Sequence, residues 1–155
     1  MKLVLGIICL LFCVLMGKVL AKKYTDRRIF YSDFFEFNKK FRVEITFSQN
    51  TLPTIIGEIS NKEGIFYKKL SEYFNANKRV DLDKSLFSEQ ENDFFIKYLN
   101  SLGKSDRNSQ LNQIDSFTSE IESKVSLTKT DEEKYIKLYK KLGFLIGLIL
   151  LIMLI

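Results

Sequence analysis

Residues 106–155 read DRNSQLNQIDSFTSEIESKVSLTKTDEEKYIKLYKKLGFLIGLILLIMLI. Within them Ile114, Thr118, Ile121, Val125, Thr128, Glu132, Tyr135, Tyr139, Leu142 and Ile146 alternate in steps of four and three, the spacing of one helical face. The spacing predicts a last helix of about 75 Å if it runs unbroken from Asp106 to the end. A break at residues 126–130 competes, because Thr130 and Glu133 have the spacing of a capping box. The stripe keeps its phase across that point, which favours continuity. It leads into residues 142–155, where 12 of 14 residues are apolar and no side chain is polar. A core helix ordinarily keeps a polar face, so this run points to membrane burial. Fourteen helical residues reach about 21 Å, whereas a helix starting near Tyr135 reaches about 31 Å and matches a hydrocarbon core of ~30 Å. Tyr135 and Tyr139 then lie at headgroup depth, with Lys137, Lys140 and Lys141 reaching outward.

The opposite end repeats this character. Residues 3–21 hold 16 apolar residues of 19, with Lys18 as the one charge. A transmembrane anchor competes here with a secretory signal peptide cleaved after Ala21, since Lys2, the apolar run and Val19-Leu20-Ala21 imitate its three regions. A lipoprotein signal fails, because Leu11-Phe12-Cys13 and Ile7-Ile8-Cys9 lack the small residues ahead of the cysteine. Lys18, Lys22, Lys23, Arg27 and Arg28 form a positive flank that resists translocation and favours a retained anchor. Cys9 and Cys13 lie one helical turn apart and read as small apolar fillers, with helix pairing as the alternative.

Both apolar ends turn their cations to the middle of the chain. Those five and Lys134, Lys137, Lys140 and Lys141 stand on the inner side, against Lys2 alone on the outer. The positive-inside rule puts the middle in the cytoplasm and both termini on the far side. The division is therefore a transmembrane anchor at 1–21, a cytoplasmic helical bundle at 22–141 and a C-terminal transmembrane segment at 142–155, whose helix begins near 135. The 46% apolar content of the 155 residues averages these environments: residues 22–141 hold 42 apolar residues of 120, beside 22 basic and 19 acidic ones.

One proline (Pro53) and three glycines (Gly57, Gly64, Gly103) leave residues 22–141 few turn signals, so the middle reads as helices throughout. Phe30, Phe34, Phe37, Phe41 and Ile45 mark one helical face over about 25–47. Ser48-Gln49-Asn50-Thr51 breaks it, and Thr51 with Pro53 opens a short helix carrying Ile55, Ile56 and Ile59. A third helix at about 65–74 buries Phe66, Leu70 and either Tyr73 or Phe74. A loop follows at 75–79, then room for one turn at 80–87. A fourth helix at about 88–102 carries Phe94, Phe95, Tyr98 and Leu99. Gly103 ends it in a left-handed turn, and Ser105 or Asp106 caps the next. The 19 aromatics of the middle, 12 of them Phe, sit at core spacing.

The chain has no histidine, its middle has no cysteine, and no phosphate-binding or nucleophile-elbow glycine pattern occurs. No catalytic, cofactor-binding or metal-ligating residue is expected, and the protein reads as a non-enzyme without cofactors. Asp81/Asp83 and Glu132/Glu133 are paired carboxylates of the kind charge-rich helices carry on solvated faces. Lys22, Lys23, Arg27, Arg28, Lys140 and Lys141 flank membrane segments and read as contacts to anionic headgroups rather than to nucleic acid.

Leu102-Gly103-Lys104-Ser105-Asp106, then Gln110, a long polar helix, Tyr135, Leu138-Tyr139, Leu142-Gly143 and Gly147 before a terminal apolar run together resemble the stage III sporulation protein AB family. The N-terminal anchor with its basic flank and the Thr51-Leu52-Pro53 turn fit the same pattern. Asn108 and residues 65–91 depart from it. The resemblance implies an all-α helical bundle, similar to the cytoplasmic domain of secretion platform proteins, between two transmembrane helices. It also implies a scaffold in the channel joining mother cell to forespore, in the mother-cell membrane around the forespore. Its partners there would be the membrane, a secretion-type ATPase and other channel membrane proteins, with room for a homo-oligomer. An exported helical domain, released after Ala21 or held by its C-terminal tail, is the other reading. Leu102, Gly103, Ser105 and Asp106 are structural turn and cap residues on physical grounds, and Lys104, Arg107 and Gln110 are candidates for partner docking.

Overall fold

In the computed structural model the backbone is described for residues 2–47, 52–59, 62–76 and 80–154, and side chains within these except at 2–5, 52, 53, 56, 59, 75, 76 and 154. Five α-helices and no strands occur among the described residues: α1 (Lys2–Phe47), α2 (Leu52–Ile59), α3 (Ile65–Ala76), α4 (Glu89–Ser101) and α5 (Arg107–Leu154). The all-helical expectation holds, and α5 passes through residues 126–130 without a break. Thr51, the 48–51 break and most of the 75–79 loop lie outside the described residues, as do the side chains of Ile56 and Ile59. The chain divides into two units, residues 27–127 and residues 1–26 with 128–155.

Residues 27–127 are organised by the aromatic face of α1. Phe30, Phe34, Phe37 and Phe41 are buried, as their spacing requires, and so is Tyr31. Phe34 stacks on Phe66 of α3 at 5.2 Å between centroids and meets Tyr98 of α4 edge-on at 4.6 Å. Phe30 lies 4.6 Å from Phe87. Ile55 of α2, Leu70 of α3, Leu99 of α4 and Ile114 and Ile121 of α5 complete the core, with Tyr73 and Phe74 both half-buried at its edge. Between α3 and α4, Asp83 accepts the Ser85 N–H at 2.9 Å and closes a single turn that turns Leu82 and Phe87 inward.

Asn38 sits fully buried on the apolar face of α1, where the hydrophobic period gives no sign of it. Its Oδ1 accepts from the Tyr98 hydroxyl at 2.9 Å, and its Nδ2 donates to Thr118 Oγ1 at 2.8 Å. One amide thus ties α1 to α4 and α5 and satisfies its own polar atoms, without which its burial would cost more than it returns. Burial pushes the Tyr98 hydroxyl well above the usual tyrosine range, keeping it a donor.

In the unit formed by residues 1–26 and 128–155, α1 and α5 run antiparallel, and glycine lies between them. A Cβ at Gly17 would stand 2.7 Å from the Tyr139 carbonyl oxygen, one at Gly143 2.8 Å from the Cys13 carbonyl oxygen, and one at Gly147 3.0 Å from the Leu10 Cα. Small residues at this spacing let two backbones touch. The expected stripe therefore changes phase after Tyr139: Gly143 and Gly147 face α1, whereas Leu142 and Ile146 are exposed, a correction to the periodicity. Hydropathy selects the large side chain, but close packing selects the one with no side chain at all. Tyr24 stacks on Tyr135 at 4.2 Å.

Among the described residues no helix is long and apolar enough to cross a membrane. The eighteen residues from Gly6 already take in Lys18, Lys22 and Lys23, and Lys137, Lys140 and Lys141 precede the second apolar run. The two transmembrane segments expected from the sequence are therefore not found among the described residues.

Replacing Tyr98→Phe removes the donor to a fully buried amide oxygen, so stability should fall by about 1–3 kcal/mol. Urea unfolding followed by far-ultraviolet circular dichroism measures this, and a loss within the scatter of surface substitutions would show that Asn38 has another partner.

Candidate functional site

The residues singled out by sequence converge on the α4–α5 turn. Leu102 is buried as the C-cap of α4 and its N–H donates to the Leu99 carbonyl at 3.3 Å. Gly103 follows at φ 72°, the left-handed conformation that costs other residues a clash of Cβ with backbone. Asp106, not Ser105, caps α5: its Oδ2 accepts the Ser109 N–H at 3.2 Å and its carbonyl accepts the Gln110 N–H at 2.8 Å. The hydrogen bonds from Ser109 hold the Asp106 carboxyl below its ordinary range. The Ser105 hydroxyl oxygen is instead buried without a hydrogen-bond partner among the described residues.

Gln110 is 3% exposed and turned away from solvent, which corrects its assignment as a docking residue. Its Oε1 accepts the Gly103 N–H at 2.9 Å and its Nε2 donates to the Ser101 carbonyl at 3.2 Å. One side chain so supplies both partners that a left-handed turn leaves without helical ones. Arg107 is exposed, yet its Nη2 donates to the Thr46 carbonyl in the last turn of α1, where a cation meets the negative helix end. Lys104 is exposed and Asn108 is exposed beyond it. A cavity of about 150 Å³ opens beside the turn, lined by Phe41, Ile45, Ile55, Gly103, Ser105, Arg107 and Gln110.

A second polar cluster, unseen in the sequence, lies where α1 meets α4. Arg27 Nη2 stands 2.6 Å from Glu91 Oε1, which also accepts the Tyr31 hydroxyl at 2.7 Å. The other oxygen of Glu91 accepts the Ser88 N–H at 2.9 Å while Ser88 Oγ receives the Glu91 N–H, a capping box that starts α4. Burial alone would raise the Glu91 carboxyl. The Arg27 guanidinium, the Ser88 N–H and the Tyr31 hydroxyl outweigh it and hold the group down at about 2. Arg27, expected at lipid headgroups, is therefore spent inside the fold, and Arg28 is half-buried. The S-x-x-E spacing of Ser88 and Glu91 was the available signal.

Of the remaining sequence candidates, Lys22, Lys23, Lys140 and Lys141 are exposed. The paired carboxylates do not assemble a site: Asp83 holds its own turn, Asp81 accepts from Asn92 Nδ2 at 3.3 Å, and Glu132 is half-buried while Glu133 is exposed. No group of three metal-ligating side chains occurs among the described residues. The arrangement can hold helices and present a lysine-bearing turn.

Two predictions separate scaffold from surface. Gln110→Ala should cost about 1–3 kcal/mol because it strands the Gly103 N–H, whereas Lys104→Ala should stay within about 0.5 kcal/mol; equal effects in urea unfolding would refute the assignment. Glu91 titrates lower folded than unfolded, so its stabilisation is present above about pH 5 and drains away as the pH falls toward 2. Thermal unfolding of Glu91→Gln should accordingly show a shallower acid limb between those limits, the remainder coming from Glu36, Asp83, Asp106 and Asp115, whose carboxyls are also held low.

No curated protein and no solved structure matches the chain. The family model for stage III sporulation protein AB matches residues 2–155. With the Leu102–Asp106 turn, Gln110 and the paired glycines of α5 in place, the chain belongs to the stage III sporulation protein AB family.

Proposed function

We propose that this protein is a non-enzymatic membrane platform of sporulation: a two-pass helix pair that holds residues 22–141 in the cytoplasm and docks a secretion-type ATPase to membrane subunits of the mother cell–forespore channel. Membership of a stage III sporulation family sets the process. The observation that carries the membrane reading is the inverted packing of the residue 1–26 and 128–155 unit. Gly6, Gly17, Ala21, Gly143 and Gly147 are buried, while Ile8, Phe12, Val19, Leu145, Ile149 and Ile152 are each half or more exposed. In water a helix pair buries its large apolar side chains and exposes its small ones; lipid reverses that preference. The cation bias of the two flanks supports the cytoplasmic assignment.

Docking rests on Lys104, exposed at the tip of a turn that Leu102, Gly103 and Asp106 are committed to holding. A photo-crosslinker in place of Lys104 in sporulating cells should capture the ATPase, and a single cysteine there should react with a membrane-impermeant reagent only after permeabilisation. Reaction in intact cells would overturn the topology. Deletion should block formation of heat-resistant spores, and normal sporulation without the protein would refute the role.

A further inference from the structure

Within the unit of residues 1–26 and 128–155, a groove of about 480 Å³ runs beside α1 and α5. Its volume falls among those of pockets that hold small ligands, roughly 300–1,000 Å³. Lys18, Lys22 and Lys140 line it, together with Val19, Ala21, Ile136, Thr25 and Asp26. Lys18 and Lys22 are four apart and share one face of α1, and Lys140 comes from α5. Among the described residues none of these three lysines makes an ion pair or hydrogen bond, although Lys18 interrupts an otherwise uncharged apolar run. Three cations and one carboxylate leave the groove with a net charge of +2, on walls that are otherwise largely apolar.

We infer that this groove is a binding site for a phospholipid with an anionic, glycerol-bearing headgroup. The phosphate meets Lys18, Lys22 and Lys140, and the headgroup hydroxyls donate to Asp26, eight residues and roughly 12 Å along α1 from Lys18. Val19 and Ile136 contact the glycerol backbone and the start of an acyl chain. Those apolar walls select a lipid over free phosphate, which would leave them wet. The site explains why a lysine is placed inside the first apolar run, where an uncompensated charge is costly. It rests on the membrane reading above and adds a specific ligand to it.

The test uses the full chain with its lipid complement read by native mass spectrometry from detergent containing equal phosphatidylglycerol and phosphatidylcholine. A lysine beside an anionic headgroup is worth roughly a factor of five, so three together favour phosphatidylglycerol by up to about 100-fold. Combined Lys18→Gln, Lys22→Gln and Lys140→Gln should bring the ratio close to even. Lys129→Gln, Lys134→Gln and Lys137→Gln together remove the same charge outside the groove and should leave the preference within about two-fold. An equal loss in that control, no preference in the unaltered protein, or displacement of the lipid by millimolar inorganic phosphate would each overturn the site. Alkaline carbonate extraction reads insertion separately. A chain released to the supernatant would overturn the membrane reading itself, whereas an inserted chain without lipid preference overturns the groove alone.

Discussion

Phe30, Phe34, Phe37 and Phe41 can leave water together only if other helices close over one side of α1, and that requirement organises residues 27–127. α3 supplies Phe66, α4 supplies Phe95 and Tyr98, and the loop before α4 supplies Phe87. A lean core is compensated by ring size, since each aromatic buries more area than an aliphatic residue and the edge-to-face pairs add to it. Asn38 then limits the packing to one solution. An aromatic face alone tolerates sliding of one helix on another, but an amide that must meet Tyr98 and Thr118 at once does not.

The same two long helices follow a different rule in residues 1–26 and 128–155. There backbone meets backbone through Gly17, Gly143 and Gly147, Tyr24 stacks on Tyr135, and most bulky aliphatic side chains are exposed. α1 therefore carries large rings on its buried face in one unit and small residues in the other. Burial of large rings in the first gains apolar area removed from water, whereas the glycines of the second gain close van der Waals approach of two backbones.

The turn between α4 and α5 shows how a family-like motif divides its labour. Leu102, Gly103 and Asp106 shape the chain reversal, Gln110 satisfies it from within, and Arg107 reaches the end of α1. Lys104 is left at the surface by the commitment of its neighbours. The family-like motif grouped Gln110 with Lys104 and Arg107 as a surface residue because a glutamine on a polar helix looks the same in either role. Only the position of the Gly103 N–H distinguishes them.

The amino-acid sequence by itself determined the helices, the buried phenylalanine face and the left-handed turn at Gly103, and favoured an uninterrupted last helix, all of which depend on residues within a few positions of one another. The tertiary structure decided where polar groups are buried and which face of an apolar helix is covered. Tyr31 and Glu91 are 60 residues apart, and Asn38 and Thr118 are 80 apart. A buried polar side chain is stable only when its partner arrives from elsewhere in the chain, so no local pattern announces it. An all-apolar run likewise has no intrinsic inside, and it was the fit of Gly143 and Gly147 against the α1 backbone, not hydropathy, that assigned one.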